Sequence, residues 1–96
     1  MLIATAVFDT ETNHRTWMTK ATLRSLAASV DWKRHRLIVS DNGSCQATHN
    51  LYKRMANELP FTLICNGENL GTAKAINKAW QHRRPGEHAV KMDNDV

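Results

Sequence analysis

Cysteine is scarce in this chain, with only Cys45 and Cys65 among 96 residues. Two thiols without metal-site spacing exclude a disulfide scaffold, and they fit a reducing compartment, so a cytoplasmic protein is expected. Long apolar runs are missing as well. Nothing approaches the roughly 18 consecutive apolar residues that cross a bilayer. Met1-Leu2-Ile3-Ala4 also lacks the basic start of a signal peptide. The four glycines never form Gly-x-Gly-x-x-Gly after the first apolar segment, and no Gly-Lys-Ser/Thr loop occurs. A dinucleotide-binding fingerprint and a P-loop are therefore both excluded. The segment that would carry such a loop, Asp9-Thr10-Glu11-Thr12-Asn13, is acidic and free of glycine. His14, His35, His49, His82 and His88 are dispersed, without the spacing of a zinc site. Neither cysteine has a basic neighbour in sequence, which leaves nucleophilic thiol catalysis without support.

What is present points to one compact unit. Hydrophobic residues make up 42% of the chain, enough for a core. Thirteen Lys and Arg against nine Asp and Glu give a net charge of +4. A basic balance favours anionic partners such as nucleotides, nucleic acid or anionic head groups. The pairs Lys33-Arg34, Lys53-Arg54 and Arg83-Arg84 are scattered and not interleaved with aromatics. No nucleic-acid partner is expected from such a pattern.

Four short apolar runs each end at a polar cluster: Leu2 to Phe8 at Asp9, Arg36 to Val39 at Ser40, Phe61 to Cys65 at Asn66, and Ala89 to Met92 at Asp93. Runs of this kind read as strands buried on both faces. Helical spacing lies between them. Leu23, Leu26, Ala27 and Val30 form one stripe, Ala47, Leu51 and Met55 a second, and Thr72, Ala73, Ile76, Ala79 and Trp80 a third. Trp17 and Trp80 are expected to pack helix against sheet, while Trp32, near a turn, is left open. Pro60 marks the restart of the chain as a strand, and Gly86 stops the last helix. The order β-α-β-α-β-α-β implies right-handed crossovers and a three-layer α/β/α fold with a mostly parallel sheet. The polar clusters that close these four runs all follow strands, so they gather along one edge and predict a single ligand crevice.

Three clusters carry chemistry. In Asp41-Asn42-Gly43-Ser44 the Asn-Gly pair marks a turn and Ser44 is placed to cap the next helix. A short Asp or Asn side chain there could also read a base edge or a ribose hydroxyl. Asn66 to Lys74 leads into the third helix, whose free N–H groups suit phosphate or sugar oxygens. Lys74 either adds positive charge to that site or points to solvent. Asp93-Asn94-Asp95 offers hard oxygen ligands for a divalent cation at the end of the fourth strand. The chain stops one residue later, which suggests an incomplete domain with half an active site.

Val39-Ser40-Asp41-Asn42-Gly43-Ser44, Asn69-Leu70-Gly71-Thr72-Ala73-Lys74-Ala75-Ile76-Asn77-Lys78-Ala79 and Lys91-Met92-Asp93-Asn94-Asp95 together resemble a known pattern. It is that of the N-terminal, nucleotide-sugar-binding half of a family 2 glycosyltransferase with the GT-A fold. The resemblance covers essentially all of residues 1–96 and implies a strand order of 3-2-1-4. It also implies a metal-assisted, inverting transfer from a UDP, GDP or dTDP sugar to an acceptor hydroxyl, with Mn2+ or Mg2+ as cofactor.

By that resemblance Phe8 and Asp9 lie beside the nucleoside, and Asp41 and Asn42 face the base. Asn42 stands where many uridine-using members carry a second acid. Asn69, Gly71 and Lys74 border the ribose, diphosphate and donor sugar. Asp93 contacts ribose or sugar, and Asp95, with Asp93, holds the metal. The general base and the acceptor site are expected beyond residue 96. The full-length protein is expected to associate with the cytoplasmic face of a membrane. Two other classes compete with this reading: a Mg-dependent nucleotidyl- or phosphotransfer enzyme, and a basic nucleic-acid-binding module.

Overall fold

The computed structural model describes residues 1–93. Its elements run β1 (Leu2–Val7), α1 (Thr16–Ser29), β2 (Arg36–Asp41), α2 (Gln46–Met55), β3 (Phe61–Cys65), α3 (Thr72–Trp80) and β4 (Ala89–Lys91). The four strands form one parallel sheet in the order β3-β2-β1-β4. Val7 pairs with Asp41 and Asp41 with Cys65, so the carboxyl ends of the first three strands lie level.

Strand periodicity explains why there are two cores rather than one. Ile3 and Val7 of β1 and Leu37 and Val39 of β2 face α1 and α2, where they meet Leu23, Leu26, Leu51, Tyr52 and Met55. The alternate residues Leu2, Ala4 and Ile38 face the other way, onto Ile76 and Ala79 of α3. Each large aliphatic side chain buried this way contributes about 1.5–3 kcal/mol relative to exposure. The central strands are sealed on both sides. β3 and β4 are only half-buried, because each lies at an edge of the sheet among the described residues.

Several local expectations are corrected. Trp17 does not pack helix on sheet; it is 68% exposed at the start of α1. Trp80 does pack, against the α3-side core, with its indole Nε1 donating to the Val90 carbonyl at 3.4 Å. Trp32 joins the α1/α2 core and donates to the Leu26 carbonyl at 3.2 Å, closing the end of α1. In α2 the buried stripe is Thr48, Leu51, Tyr52 and Met55, leaving Ala47 exposed. In α3 it is Ala75, Ile76 and Ala79, leaving Thr72 and Ala73 exposed. Polar Thr48 and Tyr52 belong to the inner face because buried carboxylates wait there for hydroxyl donors. Ser44 does not cap α2. Its hydroxyl instead accepts the Asp9 N–H at 3.0 Å, and Cys45 takes the cap position without a side-chain bond.

Candidate active site

In an open parallel sheet the ligand crevice opens where neighbouring strands send their connections to opposite faces. Here that point lies between β1 and β4, since α1 and α2 cover one face and α3 the other. A cleft of about 580 Å³ sits at the carboxyl ends of these two strands. Ala6 and Phe8 line it from β1 and the residue beyond, Lys91 and Asp93 from β4, Thr72 from the start of α3, and Asn13 and Arg15 from the loop before α1. Phe8 is 39% exposed, an aromatic face left open at a polar cleft. Asp93 is exposed, and its Oδ1 lies 3.1 Å from Lys91 Nζ. The cleft thus holds a carboxylate, two cations and a ring. A second cleft, of about 320 Å³ around Trp32, His35 and Phe61, lies at the opposite, amino ends of β2 and β3, away from these groups.

Asn13 shapes the loop that carries Phe8 and Arg15. Its Nδ2 donates to the Phe8 carbonyl at 2.9 Å, and its Oδ1 accepts the Thr10 and Arg15 N–H groups at 2.8 and 3.2 Å. The neighbouring His14 adopts φ +54, a left-handed conformation unusual outside glycine.

Asp9, Asp41 and Asn42 are buried and are not part of the cleft lining. Asp9 is fully buried, and its Oδ2 accepts the hydroxyls of Thr19 and Thr48 at 2.7 and 2.9 Å. Its Oδ1 has no hydrogen-bond partner among the described residues. Asp41 is 1% exposed. Its Oδ1 accepts Tyr52 Oη at 2.6 Å, and its Oδ2 accepts the N–H groups of Gly43 and Ser44 at 3.2 and 2.9 Å. Burial, and then the bond to Asp41, push the Tyr52 hydroxyl far above its usual range, so it remains a donor. His49 Nε2 lies 3.5 Å from the same Asp41 Oδ2. Asn42 is buried and bonded to Asn66, Asn69 and the Gly71 carbonyl.

Asn69 and Gly71 are exposed at the head of α3, and Lys74 is exposed in its first turn, outside the cleft lining. Asp95 lies outside the described residues. Among those residues no three His, Cys, Asp or Glu gather as a metal site. Asp93 is nevertheless a hard oxygen donor beside a cleft with cationic walls, the donor chemistry that Mn2+ or Mg2+ shared with phosphate requires.

Asn13, Arg15 and Lys91 escaped the sequence reading. An acidic, glycine-free loop after β1 carries no phosphate signal, and Lys91 stands in the sequence within a strand and the segment running on to Asp95, with nothing to mark it as a cleft residue. The available clue was an Arg placed directly before a helix that follows the first strand.

Residues 17–96 match the model for glycosyl transferase family 2. The chain belongs to that family. Solved glycosyltransferases share its fold, which is of the GT-A type. One is the mannosyltransferase PcManGT from Pyrobaculum calidifontis, solved in complex with GDP-Man and Mn2+. It superposes with a TM-score of 0.78 at 22% identity, over 98% of this chain and 27% of its own. Another is S. aureus TarS 1-349, with a TM-score of 0.76 at 20% identity, again over 98% of this chain and 27% of its own. The family 2 chain therefore spans little more than a quarter of either structure. No curated protein sequence matches it. Among the described residues no helix is long and apolar enough to cross a membrane.

Proposed function

We propose that residues 1–96 form the donor-binding part of a glycosyltransferase that moves a sugar from a nucleoside diphosphate to an acceptor hydroxyl. The observation that carries this is the cleft at the β1/β4 switch point, where Phe8, Arg15, Lys91, Asp93 and the start of α3 converge. A nucleotide sugar presents a flat base, an anionic diphosphate and a polyhydroxylated ring. Phe8 offers a face to the nucleoside. Arg15 and Lys91 neutralise diphosphate oxygens, and the first N–H groups of α3 point toward the same anion. Asn69, Gly71 and Lys74 border the ribose and sugar from the α3 side. Asp9 and Asp41 act through the loops they hold, because protein donors already occupy Asp9 Oδ2 and both oxygens of Asp41.

Asp93 and Asp95 would hold a Mn2+ or Mg2+ ion, which as a Lewis acid stabilises charge developing on the departing diphosphate. Within the chain, Lys91 Nζ lies 3.1 Å from Asp93 Oδ1, so a cation held by Asp93 would leave the ammonium to phosphate oxygens. Inversion requires a general base to take the acceptor's proton, and no residue of 1–96 is assigned that part. The basic charge and the two free thiols fit a cytoplasmic enzyme using an anionic donor, and the whole protein would associate with the cytoplasmic face of a membrane.

Calorimetry of the whole protein with UDP, GDP, dTDP and CDP sugars, with and without Mn2+, tests the reading. Binding of one nucleotide class, strengthened by the metal, is the expected result. Binding of none under either condition overturns it.

A further inference from the structure

Asn42 is 2% exposed, although it lies in a turn at the ligand edge of the sheet. Its amide is oriented by groups that can act in only one sense. Nδ2 lies 3.3 Å from the Gly71 carbonyl, which only accepts, and 3.3 Å from Asn69 Oδ1. Asn69 Oδ1 also receives the Gly71 N–H at 3.0 Å, and an N–H only donates. On the other side, Asn42 Oδ1 accepts Asn66 Nδ2 at 2.9 Å, while Asn66 Oδ1 faces Lys78 Nζ at 3.2 Å. A backbone carbonyl, a backbone N–H and an ammonium thus fix three side-chain amides in one arrangement, with every donor on an acceptor. A carboxylate in place of Asn42 would set oxygen against oxygen at both the Gly71 carbonyl and Asn69.

The Gly71 carbonyl also receives the Ala75 N–H at 3.2 Å, so Asn42 grips the oxygen at which α3 begins. Gly71 adopts φ +83, and a Cβ there would meet nothing within 4 Å. The next residue, Thr72, is the cleft wall shared with Phe8 and Asp93.

Resting on the donor-binding reading above, we propose that Asn42 is a positioning residue for the donor diphosphate. Its amide nitrogen ties the β2–α2 turn to Asn69 and Gly71 and so holds the amino end of α3 against the cleft. The requirement is for an amide, because a neutral donor at this place satisfies two acceptors and a carboxylate satisfies neither. Asn42 touches no ligand in this scheme.

The test is the dissociation constant of UDP, GDP, dTDP and CDP with Mn2+, measured calorimetrically on the whole protein, on N42D and on N42A. If the unaltered protein binds none of the four, the donor-binding reading itself has failed. If it binds, N42D should bind roughly tenfold more weakly near neutral pH, the size expected when the shared donor is lost and a carboxylate is set against two acceptor oxygens. N42A, which removes the bond without adding charge, should lose less.

Protonation supplies a readout that a general loss of stability would not move. Toward about pH 5 the carboxyl introduced by N42D can take a proton and donate to the Gly71 carbonyl, so its deficit relative to the unaltered protein should shrink. The N42A deficit should stay level. The charged groups facing this position are Asp41 on the same turn, Glu68 against Gly43, and Lys78 through Asn66. Thermal midpoints establish that each variant is folded at the assay temperature, and if N42D is not, the N42A deficit carries the test. Unchanged affinity in the folded variants, or a folded N42D whose deficit ignores pH, overturns the proposal.

Discussion

The carboxylates of this chain sort by what surrounds them. Asp9 and Asp41 are buried and met by hydroxyl and backbone donors, bonds that tie neighbouring segments together. Asp93 is open, with 57% of its side chain exposed and the Lys91 ammonium beside it. A side chain so placed contributes little to packing, and its value lies in what it can bind. If Asp95 is the firm metal ligand, Asp95→Asn in the whole protein should remove most metal-dependent turnover while leaving the thermal midpoint within a degree or two. Asp93→Asn should cost less, because an amide keeps one acceptor oxygen. The two variants are compared by melting and by the Mn2+ dependence of donor-sugar transfer or hydrolysis. Normal metal activation in Asp95→Asn would remove that residue from the metal site.

At the scale of elements, the amino end of the sheet is fastened by one ion pair. Arg36, the first residue of β2, donates through Nη2 to Glu87 Oε1 at 2.6 Å and through Nε to Oε2 at 3.1 Å. It also reaches the His82 carbonyl at 2.9 Å, tying β2 to the connection between α3 and β4. The Arg36 bonds, aided by the Arg84 N–H, hold the Glu87 carboxyl at about 2 against an ordinary value of 4.5. The folded state therefore resists a proton that the unfolded chain accepts. Stability from this pair is present in full above about 4.5 and is lost as pH falls toward about 2. The pair lies at the rim of the fold, with 30% of the Arg36 side chain exposed, and screening by solvent there keeps the effect modest. Glu87→Gln should melt below the parent at pH near 6, and the gap should close as the pH approaches 2. An equal gap at both ends would show that the depressed carboxyl is not what links folding to acid.

For the molecule as a whole, strand order decides where rigidity lies. β1 and β2 are hydrogen-bonded on both sides and covered by helices on both faces. β4 contributes three pairs to β1 and leaves Val90 39% exposed. Amide exchange should therefore be slowest at Ala4, Thr5, Ile38 and Val39 and much faster across Ala89–Lys91, when followed by mass spectrometry on residues 1–96. Equal protection of β4 and β1 would mean that another surface covers this edge even in the isolated chain. The expected contrast matters for function, since one wall of the cleft belongs to the stiff centre and the other to the loosely held strand bearing Lys91 and Asp93.

The order of elements was legible in the residues alone, because apolar runs at strand length and stripes at helical spacing depend only on chain geometry. So was the edge at which the polar clusters gather, since parallel strands bring their carboxyl ends together. The strand order and the family were readable from Asp41-Asn42-Gly43-Ser44, Asn69 to Ala79 and Lys91 to Asp95 taken as a set. Tertiary structure alone decided which polar residues face the cleft. Asp9 and Phe8 are neighbours in sequence, yet strand alternation buries one and opens the other. Thr19, Thr48 and Tyr52 look like ordinary helix positions until the fold sets them against Asp9 and Asp41. Arg15 and Lys91 meet at one cleft only because β1 and β4, whose paired Leu2 and Ala89 lie 87 positions apart in sequence, are adjacent in space. Hydrogen bonds between distant segments carry no trace in local pattern, so the division between residues that bind and residues that position had to come from coordinates.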